Sequence, residues 1–153
     1  MKNHKLLVSV IGALLAIGLV AGLASATPYE TLVKGVLDGL KADSPWGKVV
    51  VDGAFDLWEA QAAVFLDVRT SDEYEAGHIP GAILVTLETL PENLDLLPED
   101  KDTLIVVYCK SGWRASIGMV TLRLFGYVNA KGFDGSWLAW TEAGHPITEG
   151  ATP

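Results

Sequence analysis

Apolar positions along the chain repeat with two different periods, and the switches between them mark the elements. Residues 27–40 place Leu32, Val33, Val36, Leu37 and Leu40 on one side behind a Thr27-Pro28 start, which predicts an amphipathic helix. Residues 48–51 form a short β-branched run, and residues 56–61 read as helical turns. Residues 62–66 form a continuous apolar strand running into Asp67-Val68-Arg69. Thr70-Ser71-Asp72-Glu73 is a helix-start signature that Gly77 can close, residues 83–85 predict a short strand, and residues 87–97 predict helical turns punctuated by Pro91 and Pro98. The run 104–108 predicts a buried strand, followed by a helix through Ala115, Ile117, Met119, Val120 and Leu124 that stops at Gly126. A weak strand at 128–131 and a last helix at 135–142 complete the pattern. Strands alternating with helices predict an α/β domain. Its central sheet should be mostly parallel, of about five strands, with helices on both faces and right-handed crossovers.

The first residues do not fit this scheme. Lys2 and Lys5 precede an apolar run over residues 6–23, broken only by Ser9 and glycines, and Ala24-Ser25-Ala26 follows. That order predicts a secretory signal peptide cleaved after Ala26, and hence a periplasmic or secreted protein. An uncleaved membrane anchor is the competing reading, because the run is close to bilayer length. The expected organisation is a leader at 1–26, a helix and linker at 27–45, one domain at 46–148 and a tail at 149–153.

Cleavage would remove two lysines and no acids, deepening the formal charge of −8 by two. Such acidity argues against nucleic acid or anionic membrane as partners. An anionic ligand would have to be drawn by a local positive pocket.

One position changes the picture from fold to chemistry. Cys109 is the only cysteine, and it opens Cys109-Lys110-Ser111-Gly112-Trp113-Arg114 directly after the 104–108 strand. Open α/β sheets place their ligand sites in such loops. A thiol of ordinary pKa is about 3% ionised at neutral pH, so a cysteine nucleophile needs positive surroundings. Inward-curled backbone N–H groups, the amino end of the next helix, Lys110 and Arg114 would supply them. Gly112 permits the curl, and Ser111 can donate from its hydroxyl. An exported chain with one cysteine cannot form an internal disulfide, and a thiol left unpaired under oxidising conditions is a hazard unless it has chemistry to do. A buried structural cysteine and an intermolecular disulfide are the alternatives.

Taken together, several segments resemble the rhodanese-like domain family. They are Leu66-Asp67-Val68-Arg69, Glu73-Tyr74, Gly77-His78-Ile79-Pro80-Gly81-Ala82, the stretch from Tyr108 to Ser116, Leu122-Arg123, Gly126-Tyr127 and the stretch from Trp140 to Ile147. They occur in the family's order, and with the leader the chain is similar to small periplasmic rhodaneses. The resemblance implies a sulfurtransferase, with thiosulfate and cyanide as the usual test pair. Cys109 would accept a sulfane sulfur as a persulfide, with Lys110, Ser111, Gly112, Trp113 and Arg114 around the substrate. Lys110 and Arg114 would hold the sulfonate of thiosulfate, Arg114 through its planar fork of donors.

The partners implied are a small anionic sulfur donor and a thiophilic acceptor. No metal or organic cofactor is called for, and a monomer is expected. Four residues separate Cys109 from Arg114, whereas the related phosphatases and arsenate reductases use five, so sulfur transfer is favoured over phosphate-ester chemistry. A noncatalytic sulfur-carrying or sensing domain that binds a protein partner is the other alternative.

Departures from the family pattern are Lys110 where Arg is frequent, Ala115 where Ser is frequent, and Gly135-Ser136 in place of a glycine pair. Trp113 is expected to wall the pocket mouth. Asp67 and Arg69 end a strand beside the active one, and a structural ion pair reaching the loop or Glu73 is their expected role. His78 is expected to bond backbone within a turn, and His145 to be exposed. Trp46, Trp58, Trp137 and Trp140 are expected to pack.

Overall fold

The computed structural model describes residues 27–42 and 46–151, so the expected leader lies outside the described residues. Helix α1 spans Pro28–Ala42. Thr27 and Glu30 close its start reciprocally, the Thr27 N–H donating to Oε2 at 2.6 Å and the Glu30 N–H to the Thr27 hydroxyl at 3.2 Å. Then come β1 (Lys48–Val49), α2 (Val51–Glu59), β2 (Val64–Asp67), α3 (Ser71–Glu75) and β3 (Ile83–Leu84). Two 3₁₀ turns, Leu87–Glu92 and Leu94–Leu96, lead to β4 (Ile105–Tyr108), α4 (Trp113–Leu124), β5 (Ala130–Phe133) and α5 (Ser136–Glu142).

The five strands form one sheet in the order β1-β5-β4-β2-β3, and every pairing is parallel. The most buried strand lies at its centre. Successive β4 side chains point to opposite faces, so Ile105 and Val107 join one core with Leu66, Ala115, Met119 and Leu122, while Val106 and Tyr108 join another with Ala54, Phe65, Tyr74 and Trp140. Helices therefore cover both faces. Ile105, Val106 and Val107 are fully buried, each worth about 1.5–3 kcal/mol of transfer free energy. The continuous apolar run of β4 has this cause: a strand covered on both sides has no polar face to show.

Most bounds shift by a residue or two, and two differences have a clear physical cause. The 48–51 run does not stay extended, because Val50 caps α2 and the helix begins at Val51. Val51, Ala54, Phe55 and Trp58 then share one helical face against the sheet, and this packing outweighs the strand preference of three consecutive valines. The weak strand expected at 128–131 runs instead from Ala130, fixed by the pairing of Ala130 with Ile105, and Val128 stays outside on a turn, exposed.

Two aromatic expectations are also corrected. Trp46 is 59% exposed at φ +61 rather than packed. His145 is not exposed: its ring stacks on Phe55 with centroids 4.1 Å apart and lies 4.8 Å from Trp140, because the segment after α5 folds back over that aromatic group. Trp140 is fully buried, and its indole N–H donates to the Pro146 carbonyl at 2.7 Å.

Candidate active site

Three parallel strands end side by side, and the residues that follow them converge. The register pairs Asp67, the last residue of β2, with Tyr108, the last residue of β4, and β5 ends beyond them at Phe133. Cys109 follows Tyr108 directly and Ser136 lies three residues past Phe133. Side-by-side parallel strands with crossover helices collect their loops at the carboxyl edge, so sequence-distant residues meet there.

Cys109 is a free thiol and 1% exposed as a residue. The Gly112 N–H donates to its Sγ at 3.2 Å. Gly112 has φ +109, a conformation that side chains with a Cβ resist, and it is also the residue that caps α4. The loop therefore turns back on the sulfur one residue before the helix begins. The amino end of α4 adds its partial positive charge beside the same atom.

Arg114 lies in the first turn of α4 and pairs end to end with Glu73 of α3. Nη1 donates to Oε2 at 2.7 Å and Nη2 to Oε1 at 2.8 Å, with both side chains about 30% exposed. The Arg114 hydrogen bond holds the Glu73 carboxyl at a pKa of about 2, below its ordinary 4.5, against the opposing effect of burial. Glu73 in turn raises the Arg114 guanidinium, and Cys109 makes a smaller contribution in the same direction. The fork expected to face substrate is thus partly engaged; the Nε–H and the outer Nη hydrogens are the donors left for an anion. Lys110 and Ser111 are exposed on the loop, and Trp113 is 77% exposed beside it.

Asp67 and Arg69 form a pair with one another rather than with Glu73 or the loop. Arg69 Nη2 donates to Asp67 Oδ2 at 2.6 Å and to the Gly77 carbonyl at 2.7 Å, and Nε donates to Oδ2 at 2.9 Å. Both side chains are buried, and the guanidinium carbon lies 4.7 Å from the Trp137 ring centroid and 5.6 Å from that of Tyr108. Burial, with the Asp67 charge behind it, pushes the Tyr108 phenol well above its ordinary range, so it stays neutral and accepts the Ile79 N–H at 3.2 Å. Tyr108 connects this network to the loop, since Cys109 follows it directly. His78 does bond backbone: its Nδ1 lies 2.9 Å from the Tyr74 carbonyl, and its main chain bridges Thr148.

Sequence reasoning did not foresee two contacts. Glu73 is expected from the sequence as a helix-start residue and as a candidate partner of Asp67 and Arg69, not as the partner of Arg114. Its capping box with Thr70 is present, and the same carboxylate also reaches Arg114. Ser136 was visible only as a serine where a glycine is usual. Its hydroxyl accepts the Cys109 N–H at 3.2 Å and donates to the Phe133 carbonyl at 2.7 Å.

Comparison with known proteins places the domain in a family. The chain is 31% identical over 91 residues to a sulfurtransferase of Allochromatium vinosum, covering 60% of this chain and 83% of that one. It is 37% identical over 94 residues to an HTH-type transcriptional regulator of Mycobacterium tuberculosis, covering 61% of this chain but only 41% of the regulator's length. Among solved structures, a human single-domain sulfurtransferase superposes with a TM-score of 0.59 at 25% identity, over 63% of this chain and 96% of that one. Residues 50–143 match the rhodanese-like domain, and the chain belongs to that family.

Proposed function

We propose that the protein is a sulfurtransferase that moves a sulfane sulfur from thiosulfate, or a donor of similar chemistry, to a thiophilic acceptor such as cyanide or a thiol. The observation that carries this reading is the lone Cys109 sulfur at the sheet's carboxyl edge, turned to the Gly112 N–H at the start of the helix that carries Arg114. In the first step the Cys109 thiolate attacks the outer sulfur of thiosulfate. The new S–S bond forms as the old one breaks, and sulfite leaves with the electron pair. In the second, cyanide attacks the outer sulfur of the persulfide, thiocyanate leaves, and the Cys109 thiolate returns. Both steps keep negative charge on sulfur, which the Gly112 N–H and the remaining Arg114 donors stabilise. Lys110, exposed on the same loop, draws the anionic donor against the acidity of the whole chain. The leader-like pattern of residues 1–26 supports placing this chemistry outside the cytoplasm.

Likeness to a transcriptional regulator over less than half of that protein's length favours a second reading, in which the domain carries or senses sulfur for a protein partner. Steady-state assay of the purified protein with thiosulfate and cyanide tests the proposal. Thiocyanate formation that disappears in Cys109→Ser supports it. A persulfide detected by mass spectrometry without turnover favours carriage, and hydrolysis of a phosphate ester would point to the phosphatase-like alternative.

A further inference from the structure

Ser136 has properties that opening a short helix does not require. It has φ +50, in the left-handed region that a side chain with a Cβ adopts only at a cost, and it is fully buried. Its hydroxyl is used in both directions, accepting from the Cys109 N–H and donating to the Phe133 carbonyl. A glycine would take this backbone without strain, so what the serine adds is its Oγ.

We propose that Ser136 is a positioning residue for Cys109. The Cys109 main chain is gripped on both sides by the start of α5: its N–H bonds Ser136 Oγ at 3.2 Å, and its carbonyl accepts the Trp137 N–H at 3.0 Å. The Lys110 carbonyl accepts the Leu138 N–H at 3.0 Å, extending the grip by one residue. With those main-chain groups fixed, the side chain of Cys109 is the part free to point elsewhere, and it points to the Gly112 N–H. The Phe133 bond ties the same hydroxyl to the end of β5, so the nucleophile is referenced to a strand of the sheet rather than to a loop alone.

The inference rests on the reading of Cys109 as the nucleophile. Ser136 touches the cysteine's main chain and not the loop cations that would bind the donor. Its loss should therefore lower the rate of the chemical step and leave donor binding alone.

Two variants of the full chain separate positioning from stability. Ser136→Gly removes the hydroxyl and the strain together, whereas Ser136→Ala removes the hydroxyl and keeps the strain. Both are expected to lose kcat by roughly five- to twentyfold with KM for thiosulfate within about twofold of wild type, while the thermal midpoint of Ser136→Ala lies below that of Ser136→Gly. The inference is overturned if Ser136→Gly keeps kcat within about twofold of wild type, or if kcat follows the thermal midpoint rather than the hydroxyl. Should the wild-type protein itself make no thiocyanate, the sulfurtransferase reading fails alone. Trapping of Cys109 by iodoacetamide then decides the role of Ser136: rates at least about fivefold slower in both variants uphold it, and unchanged rates overturn it.

Discussion

Arg114 and Glu73, 41 residues apart in sequence, meet end to end, Nη1 on Oε2 at 2.7 Å and Nη2 on Oε1 at 2.8 Å. The pair joins the start of α4, which carries the loop cation, to the start of α3. Glu73 Oε2 also accepts from the Thr70 N–H and hydroxyl, so one carboxylate both caps a helix and holds the arginine.

This carboxylate makes stability pH-dependent in a defined window. Its folded pKa, about 2, lies below the ordinary, unfolded value of 4.5, so its contribution is fully present above that value and is lost as pH falls toward 2. With solvent screening of a partly exposed pair, the contribution is about 1–2 kcal/mol. Chemical denaturation between pH 6 and 2 should show that loss, and Glu73→Gln, which keeps the capping geometry but not the charge, should flatten the curve.

Gly112→Ala should damage both stability and chemistry. Its φ of +109 is strained for any residue with a Cβ, at a cost of roughly 1–3 kcal/mol, and relief of that strain would carry the Gly112 N–H away from Sγ. The expected outcome is a lower urea midpoint together with turnover reduced by about tenfold or more. Wild-type turnover in the variant would remove the Gly112 amide from the mechanism.

The buried Asp67–Arg69 pair should behave asymmetrically. Arg69→Met leaves a carboxylate with no exposure and no cationic partner, a loss of about 3–5 kcal/mol. For a domain of this size that lowers the melting temperature by roughly 10–20 °C. The double variant Asp67→Leu with Arg69→Met removes both charges and should recover much of the loss, which calorimetry would show directly.

Trp113→Ala should separate specificity from folding. With the residue 77% exposed, stability is expected to stay within about 0.5 kcal/mol of wild type. If the indole walls the mouth of the site, the ratio of kcat/KM for a bulky thiol acceptor to that for cyanide should change by about threefold or more, read from parallel acceptor titrations.

The sequence by itself determined the alternation of strands and helices, the central place of residues 104–108 and the lone thiol after them, because period and turn chemistry are local properties. It also marked Gly112 as the residue able to turn the loop, and the structure gives it φ +109. Local signals misplaced the start of α2, where three consecutive valines read as strand until packing of Val51, Ala54 and Phe55 decided for helix. Only the tertiary structure decided which charges pair. Arg114 takes Glu73, Arg69 takes Asp67, and Ser136 reaches the Cys109 N–H across 27 residues. Those choices depend on parallel register and on which strand ends lie side by side. No local period encodes either, since each is settled by the burial of a whole sheet between its helices.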